Sequence, residues 1–201
     1  MKLFKKSPFE TASIGQWKWV PDYDEYLFFM DTTKMRSLYN YNLVTGDTSL
    51  FLARDKFVYD NKNLKIVDYT INAKSNKILL VTEQHRIWRH SRSAIYYLYY
   101  MNNSSVKQVA DGIRLRNVKF SPDGKSIAYI KSDNNLYIFR LDINMEVRLT
   151  NDGSFNILNG HFGWVYEEEF GSYDDYRWSP DSKFIAFVRV EPTNVKQFPL
   201  I

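Results

Sequence analysis

Apolar and polar residues alternate in short runs along the chain, and turn-forming residues separate the runs. Four segments share one order: a turn, an apolar alternating run, a polar turn, then a second run rich in Tyr and Phe. The first is Pro21–Met30 followed by Ser37–Tyr41, and the second is Asn72–Val81 followed by Ala94–Tyr99. The third is Ser121–Ile130 followed by Asn135–Phe139, and the fourth opens with Ser179–Val188. Their turns start at 21, 72, 121 and 179, in steps of 51, 49 and 58. A period near 50 built only from strands and turns predicts a β-propeller, with one four-stranded blade per repeat. Ser121-Pro122-Asp123-Gly124 supplies the turn chemistry: Pro fixes φ, Asp bonds its own backbone and Gly tolerates positive φ. Leu64–Tyr69 and Ile113–Phe120 alternate as half-buried strands should. Only Gly163–Phe170 reads as helical, so the fold class is all-β.

The last step is about eight residues longer than the others, and the excess falls between Asn156 and Tyr173. An insertion in a regular repeat maps to one face of the array, often the binding face. This one carries His161-Phe162-Gly163-Trp164-Val165-Tyr166-Glu167-Glu168-Glu169-Phe170. Asp174, Asp175 and Asp181 add acid nearby, offset only by Arg177 and Lys183. A charge run is ordinarily a solvated face. The aromatic bracketing argues otherwise, because Trp164, Val165, Tyr166 and Phe170 are costly to leave in water. The expectation is a short helical element held against something apolar.

Composition narrows the function classes. The chain has 201 residues, 44% apolar and 17% aromatic, enough for a sizeable core. Fifteen Tyr and fourteen Phe favour strands, and eight Gly with six Pro argue against a disordered or fibrous chain. With no Cys, disulfides, thiolate metal sites and a Cys nucleophile are excluded. The net charge is +4, but Lys and Arg are dispersed and form no basic cluster, so nucleic acid is not an expected partner. No 18-residue apolar run occurs, and the Lys-bearing N-terminus has no apolar core of a signal peptide. The compartment is left open.

A pair of carboxylates suits a primary ammonium, which offers three donors and one positive charge. Calcium suits the run less well, because neighbouring helix residues fan out by roughly 100° and make a poor oxygen cage. His85, His90 and His161 lack zinc spacing and read as core or surface residues. No metal and no cofactor are expected. Arg89 follows Trp88 where a long apolar run ends in a loop, and reads by itself as a loop Arg lying over that ring. Asn102-Asn103-Ser104 and Asn103-Ser104-Ser105 match the glycosylation pattern, which arises often by chance.

Trp164-Val165-Tyr166-Glu167-Glu168-Glu169, with Trp178-Ser179-Pro180-Asp181 and Phe184-Ile185-Ala186-Phe187, resembles the N-terminal β-propeller of the dipeptidyl peptidase IV family, among the prolyl oligopeptidase-type serine peptidases. The resemblance covers nearly all of residues 1–201. It implies about four blades of an eight-bladed propeller, with a short helical insertion carrying the Glu motif. Family members release X-Pro or X-Ala dipeptides from free peptide N-termini. By that resemblance Glu168 and Glu169 hold the substrate ammonium, Arg89 in Trp88-Arg89-His90-Ser91 reaches a substrate carbonyl, and Glu167 is structural or solvated. Truncating one Glu of a desolvated pair is expected to cost about 2–5 kcal/mol. A homodimer is a further implied partner, and relatives are often membrane-anchored, secreted or periplasmic.

The chain contains no Gly-x-Ser-x-Gly nucleophile elbow, so the Ser-Asp-His triad and the α/β-hydrolase domain that bears it are expected to lie outside it. The expected role is therefore substrate binding, with no catalytic residue in these 201 positions. Two other readings are a gene fragment or truncated pseudoenzyme that only binds peptides or proteins, and a TolB-like scaffold propeller with no ammonium site. The second would leave Glu168 and Glu169 pointing away from Arg89. Open strand edges also predict that residues 1–201 alone are marginal, aggregation-prone or completed by other chain segments.

Overall fold

The computed structural model describes residues 17–20, 23–32 and 35–196. The turn at Pro21-Asp22 and the Lys-bearing N-terminus lie outside the described residues. The chain divides into two compact units, Met1–Val58 and Tyr59–Ile201.

The first unit is one antiparallel meander of four strands: β1 (Lys18–Trp19), β2 (Glu25–Thr32), β3 (Met35–Asn42) and β4 (Thr48–Leu52). Alternation along β2 and β3 buries Leu27 and Leu38 completely. Trp17 stacks on Phe28 with ring centroids 4.4 Å apart and meets Tyr41 edge-on. Two short strands follow, β5 (Val58–Tyr59) and β6 (Lys62–Asn63).

The second unit begins with two more four-stranded meanders. One is β7 (Asp68–Asn72), β8 (Lys77–Arg86), β9 (Arg92–Tyr100) and β10 (Ser105–Gln108). The next is β11 (Arg116–Phe120), β12 (Ser126–Ile130), β13 (Leu136–Arg140) and β14 (Met145–Arg148). Then come β15 (Leu158–Asn159), helix α1 (Trp164–Phe170), β16 (Tyr176–Trp178), β17 (Ile185–Phe187) and β18 (Arg189–Val190). β16 pairs with β17 and β15 with β18. Three four-stranded sheets and the predicted helix are thus present, and among the described residues the fourth repeat forms only two-stranded pairings.

The core explains why the middle repeats read as unbroken apolar runs. Every residue of Ile127–Ile130 is inaccessible to solvent. Successive strand residues face opposite ways, so a continuous run marks a strand covered on both sides. Ile127 and Tyr129 join Leu79, Leu98, Leu115 and Tyr137 in one cluster. Ala128 and Ile130 join Leu136 and Tyr176 in another, on the opposite face. A bridge between Ala94 and Leu115, with N–H···O distances of 3.0 and 2.9 Å, ties β9 to the approach of β11.

Two predicted boundaries move: the expected strand Ile113–Phe120 begins at Arg116, and the start of the earlier one shifts as well. Leu64–Val67 do not form strand, and β7 starts at Asp68. The β7–β8 ladder ends at the Asp68–Val81 pair, just before the bulge that β8 forms against β9 between Thr82 and His85, with Glu83 at φ 43°.

The turns at 73–76, 121–126 and 179–184 share one end of the sheets in this unit and are tied to each other. Asn72 Nδ2 donates to the Ser121 carbonyl at 3.3 Å, and the Asp123 N–H donates to Ser182 Oγ at 3.0 Å. Within its turn, Asp123 Oδ1 accepts from Ser121 Oγ and the Lys125 N–H, and Asp181 repeats both bonds with Ser179 and Lys183. The opposite end carries the loops 87–91 and 131–135 and the α1 insertion.

Candidate functional site

α1 begins after Gly163 and stops at Gly171, whose φ of 65° only glycine adopts freely. The N–H groups of Gly171 and Ser172 return to the carbonyls of Glu167 and Tyr166, which ends the helix after seven residues. Three consecutive glutamates on so short a helix meet three different surroundings, because each step turns by roughly 100°.

Glu167 points inward and is 1% exposed. Its Oε1 accepts the backbone N–H of His90 at 2.5 Å and of Ser91 at 2.8 Å, across 77 and 76 residues of sequence. Burial pushes its pKa up, but the hydrogen bonds from Ser91 and His90 outweigh this and hold it below the ordinary glutamate value. Arg116 on β11 faces it: burial lowers the Arg116 pKa, and the Glu167 charge opposes that shift.

Glu168 is half-buried and turns toward the 87–91 loop, where Arg89 Nε lies 2.7 Å from its Oε2. Glu169 is exposed and makes no ion pair among the described residues. The structure therefore brings two of the three sequence-predicted site residues, Arg89 and Glu168, into contact. It places Glu169 one residue further along the same helix, facing solvent.

The expectation that the aromatic residues hold the helix down is corrected. Trp164 is 55% exposed and Phe170 73%, and Val165 and Tyr166 are also exposed. Tyr166 stacks on Phe162 at 4.4 Å and lies 5.7 Å from Phe170, so these rings pack chiefly along their own segment. A polar anchor, Glu167, does what an apolar face was expected to do.

Several supporting residues carry no sequence pattern that would mark them. Asn117 sits in a β-bulge of β11 at φ 53°, and its Nδ2 donates to the Tyr173 carbonyl at 2.8 Å. The Tyr173 ring in turn stacks against His90 at 5.7 Å. Lys119 Nζ reaches Asp174 at 2.5 Å and the Tyr176 carbonyl at 2.6 Å. Burial lowers the Lys119 pKa, partly offset by Asp174, while burial and then the Asp174 charge raise that of Asp175. His90, Arg92, Tyr96, Lys119, Tyr173 and Asp174 help to line a cleft of about 510 Å³ beside the loop.

His161 is a core residue, 1% exposed, with ring nitrogens 2.9 Å from the Phe162 carbonyl and 3.1 Å from Asn134 Oδ1. Burial, followed by the nearby Arg116 charge, lowers its pKa to about 4. Among the described residues no three His, Asp or Glu side chains gather as a metal site, and no helix is long and apolar enough to cross a membrane.

Sheets of this form, with a Trp-Val-Tyr-Glu-Glu-Glu helix lying against a Trp-Arg-His-Ser loop, define a recognisable class of propeller. The chain belongs to the family described as the dipeptidyl peptidase IV (DPP IV) N-terminal region, whose profile matches residues 72–201. Dipeptidyl aminopeptidase B of Saccharomyces cerevisiae is 32% identical over 178 residues, a match that covers 86% of this chain and 21% of the yeast protein. The crystal structure of Porphyromonas gingivalis dipeptidyl peptidase 4 superposes with a TM-score of 0.78 at 32% identity, covering 87% of this chain and 25% of that one. TolB from Acinetobacter baumannii superposes with a TM-score of 0.50 at 18% identity, a likeness of fold alone. The chain thus spans about a fifth of the length of its yeast relative.

Proposed function

We propose that the corner between α1 and the 87–91 loop receives the free N-terminus of a peptide. In this reading residues 1–201 are the substrate-recognising part, about four blades of an eight-bladed propeller, of a dipeptidyl peptidase IV-like serine exopeptidase. Such an enzyme releases X-Pro or X-Ala dipeptides, with its Ser-Asp-His chemistry supplied by an α/β-hydrolase domain.

The observation that carries the proposal is the 2.7 Å contact between Arg89 and Glu168. It uses one carboxylate oxygen and only the Nε edge of the guanidinium. Glu168 Oε1 and both oxygens of Glu169 accept no hydrogen bond among the described residues, and the Arg89 Nη groups donate none. An ammonium with three donors fits those oxygens, and a peptide carbonyl one or two bonds away fits the remaining guanidinium donors. Fixing the N-terminus and the first carbonyl together sets the distance to the second peptide bond. Binding energy here is then used to orient the scissile bond. The scaffold alternative requires both Glu168 and Glu169 to point away from Arg89; Glu169 faces solvent, and the Glu168 contact is what supports the peptide reading over it.

The test is titration calorimetry of the chain with Ala-Pro-Ala and with its Nα-acetylated form. The free peptide is expected to bind, acetylation to abolish the heat and Glu168→Gln to weaken the affinity by about 2–3 kcal/mol. Equal affinity for both peptides, or no binding of either, would remove the proposal.

A further inference from the structure

We infer that Glu167 and Arg92 are positioning residues, which grip the Trp88–Ser91 loop from its two polar sides so that Arg89 meets Glu168 in one arrangement. The inference rests on the peptide N-terminus reading for its functional meaning, but its structural content stands apart from it.

The loop exposes two kinds of backbone group, and each has a charged partner. Its N–H groups at His90 and Ser91 converge on Glu167 Oε1. Its carbonyls converge on Arg92, whose Nη1 lies 3.1 Å from Trp88 O, 3.2 Å from Arg89 O and 2.9 Å from Ser91 O. Arg86 Nε adds a second donor to Trp88 O at 2.8 Å. The Ile87 N–H closes the loop on Ser91 O at 3.0 Å. Carboxylate to N–H and guanidinium to C=O are among the strongest hydrogen bonds a loop can recruit.

The corresponding loop of the next sheet shows that such a grip is not needed to turn the chain. Residues 131–135 close their turn with bonds of their own: the Lys131 N–H donates to Asn135 O, the Asn134 N–H to Lys131 O, and the Asn135 N–H to Asp133 Oδ1, while neutral groups of residues 150–161 bond to Asn134 and Asn135 from outside. No carboxylate from elsewhere in the chain is buried to hold it among the described residues. Around the 87–91 loop, by contrast, Glu167 is taken out of water, a costly placement that the Arg116 charge and two N–H groups offset. Arg116 Nε and Nη2 are themselves buried and make no hydrogen bond among the described residues.

The gripped residue gives this arrangement its meaning. The Arg89 side chain is 61% exposed, so little packing fixes its direction. That direction is inherited from the backbone at Trp88–His90, which Glu167 and Arg92 hold. Neither positioning residue needs to touch the peptide.

The experiment is NMR on the 201-residue chain, comparing Glu167→Ala, Glu167→Gln and Arg92→Met. Three quantities are read: amide hydrogen exchange at His90 and Ser91, the Arg89 Nε–H resonance, and affinity for Ala-Pro-Ala. Glu167→Ala is expected to speed exchange at both amides by roughly ten- to a hundredfold relative to Leu80 in the core, and to broaden or lose the Arg89 signal. Glu167→Gln keeps an acceptor at the same place and is expected to recover most of both. Arg92→Met keeps its stem and should release the loop with Glu167 intact. If Glu167→Ala fails to fold, the other two variants still decide. Folded variants with unchanged loop exchange and an unchanged Arg89 signal would overturn the inference, as would exchange that rises equally at Leu80. A wild-type chain with a protected loop, an Arg89 signal sensitive to these variants, and no affinity for the peptide would defeat the proposed function and leave the positioning role standing.

Discussion

Arg89 Nε and Glu168 Oε2 stand 2.7 Å apart, but the two side chains differ in surroundings: 61% of Arg89 and only 16% of Glu168 are exposed. An ion pair with one partner in water contributes under about 1 kcal/mol to folding. The contact therefore fixes direction far more than it stabilises the fold.

Arg89→Ala is accordingly expected to lower the thermal midpoint by no more than about 3 °C in a chain of this size. Its affinity for a free N-terminal peptide should fall by about 1.5–3 kcal/mol, the range for a hydrogen bond to a charged group. Thermal melts and calorimetry on one preparation read both. A large loss of stability with intact binding would mean that the pair is architectural.

The two candidate ammonium ligands should not be equivalent. Glu168 is half-buried, so Glu168→Gln is expected to cost about 2–3 kcal/mol of peptide affinity. Glu169 faces solvent, so Glu169→Gln should cost about 1 kcal/mol. Peptide titrations of the two variants decide the order, and a larger loss at Glu169 would contradict it.

Acid should destabilise the protein from pH 6.5 downward. The folded His161 pKa of about 4 lies below its ordinary 6.5, so between these values the unfolded chain binds more protons than the folded one. Stability is thus lost as pH falls through that window, by about 3 kcal/mol in all. Glu167, whose folded pKa is depressed, adds its own loss only below about 4.5. Urea unfolding at pH 7, 6 and 5 should show the trend, and His161→Gln should flatten it.

Tyr176→Phe tests the second core cluster. The Tyr176 ring is 1% exposed, and its hydroxyl donates to the Ala128 carbonyl at 2.8 Å, with the Asn117 carbonyl also beside it. Removing the hydroxyl leaves a buried carbonyl without that donor, at about 1–3 kcal/mol. Denaturant midpoints of the variant and wild type measure it.

Gly124→Ala should also destabilise, by about 1–2 kcal/mol from its φ of 65° alone. An added Cβ would lie 2.2 Å from Ser75 Oγ and 2.9 Å from Asn72 Oδ1, so the linked turn must also give way. Chemical denaturation reads the sum.

The strands and turns were legible in the residues because their causes are local. Alternation marks a sheet face, and the Ser-Pro-Asp-Gly bonds lie within six residues, as Ser121 to Ser126 shows. The start of β7 was not legible, since its ladder with β8 ends at the Asp68–Val81 pair, beside a bulge that β8 forms against a third strand, β9. Glu167, Glu168 and Glu169 are identical as letters, and only the turn of α1 against the 87–91 loop separates a buried anchor from a paired and an exposed carboxylate. Residue types alone suggested an ammonium site. The link from Arg89 to Glu168 came from family resemblance, because nothing in periodicity joins residues so far apart in sequence. Arg92 and Asn117 stayed silent for the same reason.

The two ends of the second unit differ in what they tolerate. At one end Asn72, Lys77, Asp123 and Ser182 bond across from one turn to the next, so inserting a residue in any of these turns would disturb its neighbours. At the other end the long insertion around α1 is accommodated while β16 still pairs in register with β17. Growth of the chain is thus confined to one edge, the edge that carries the candidate site.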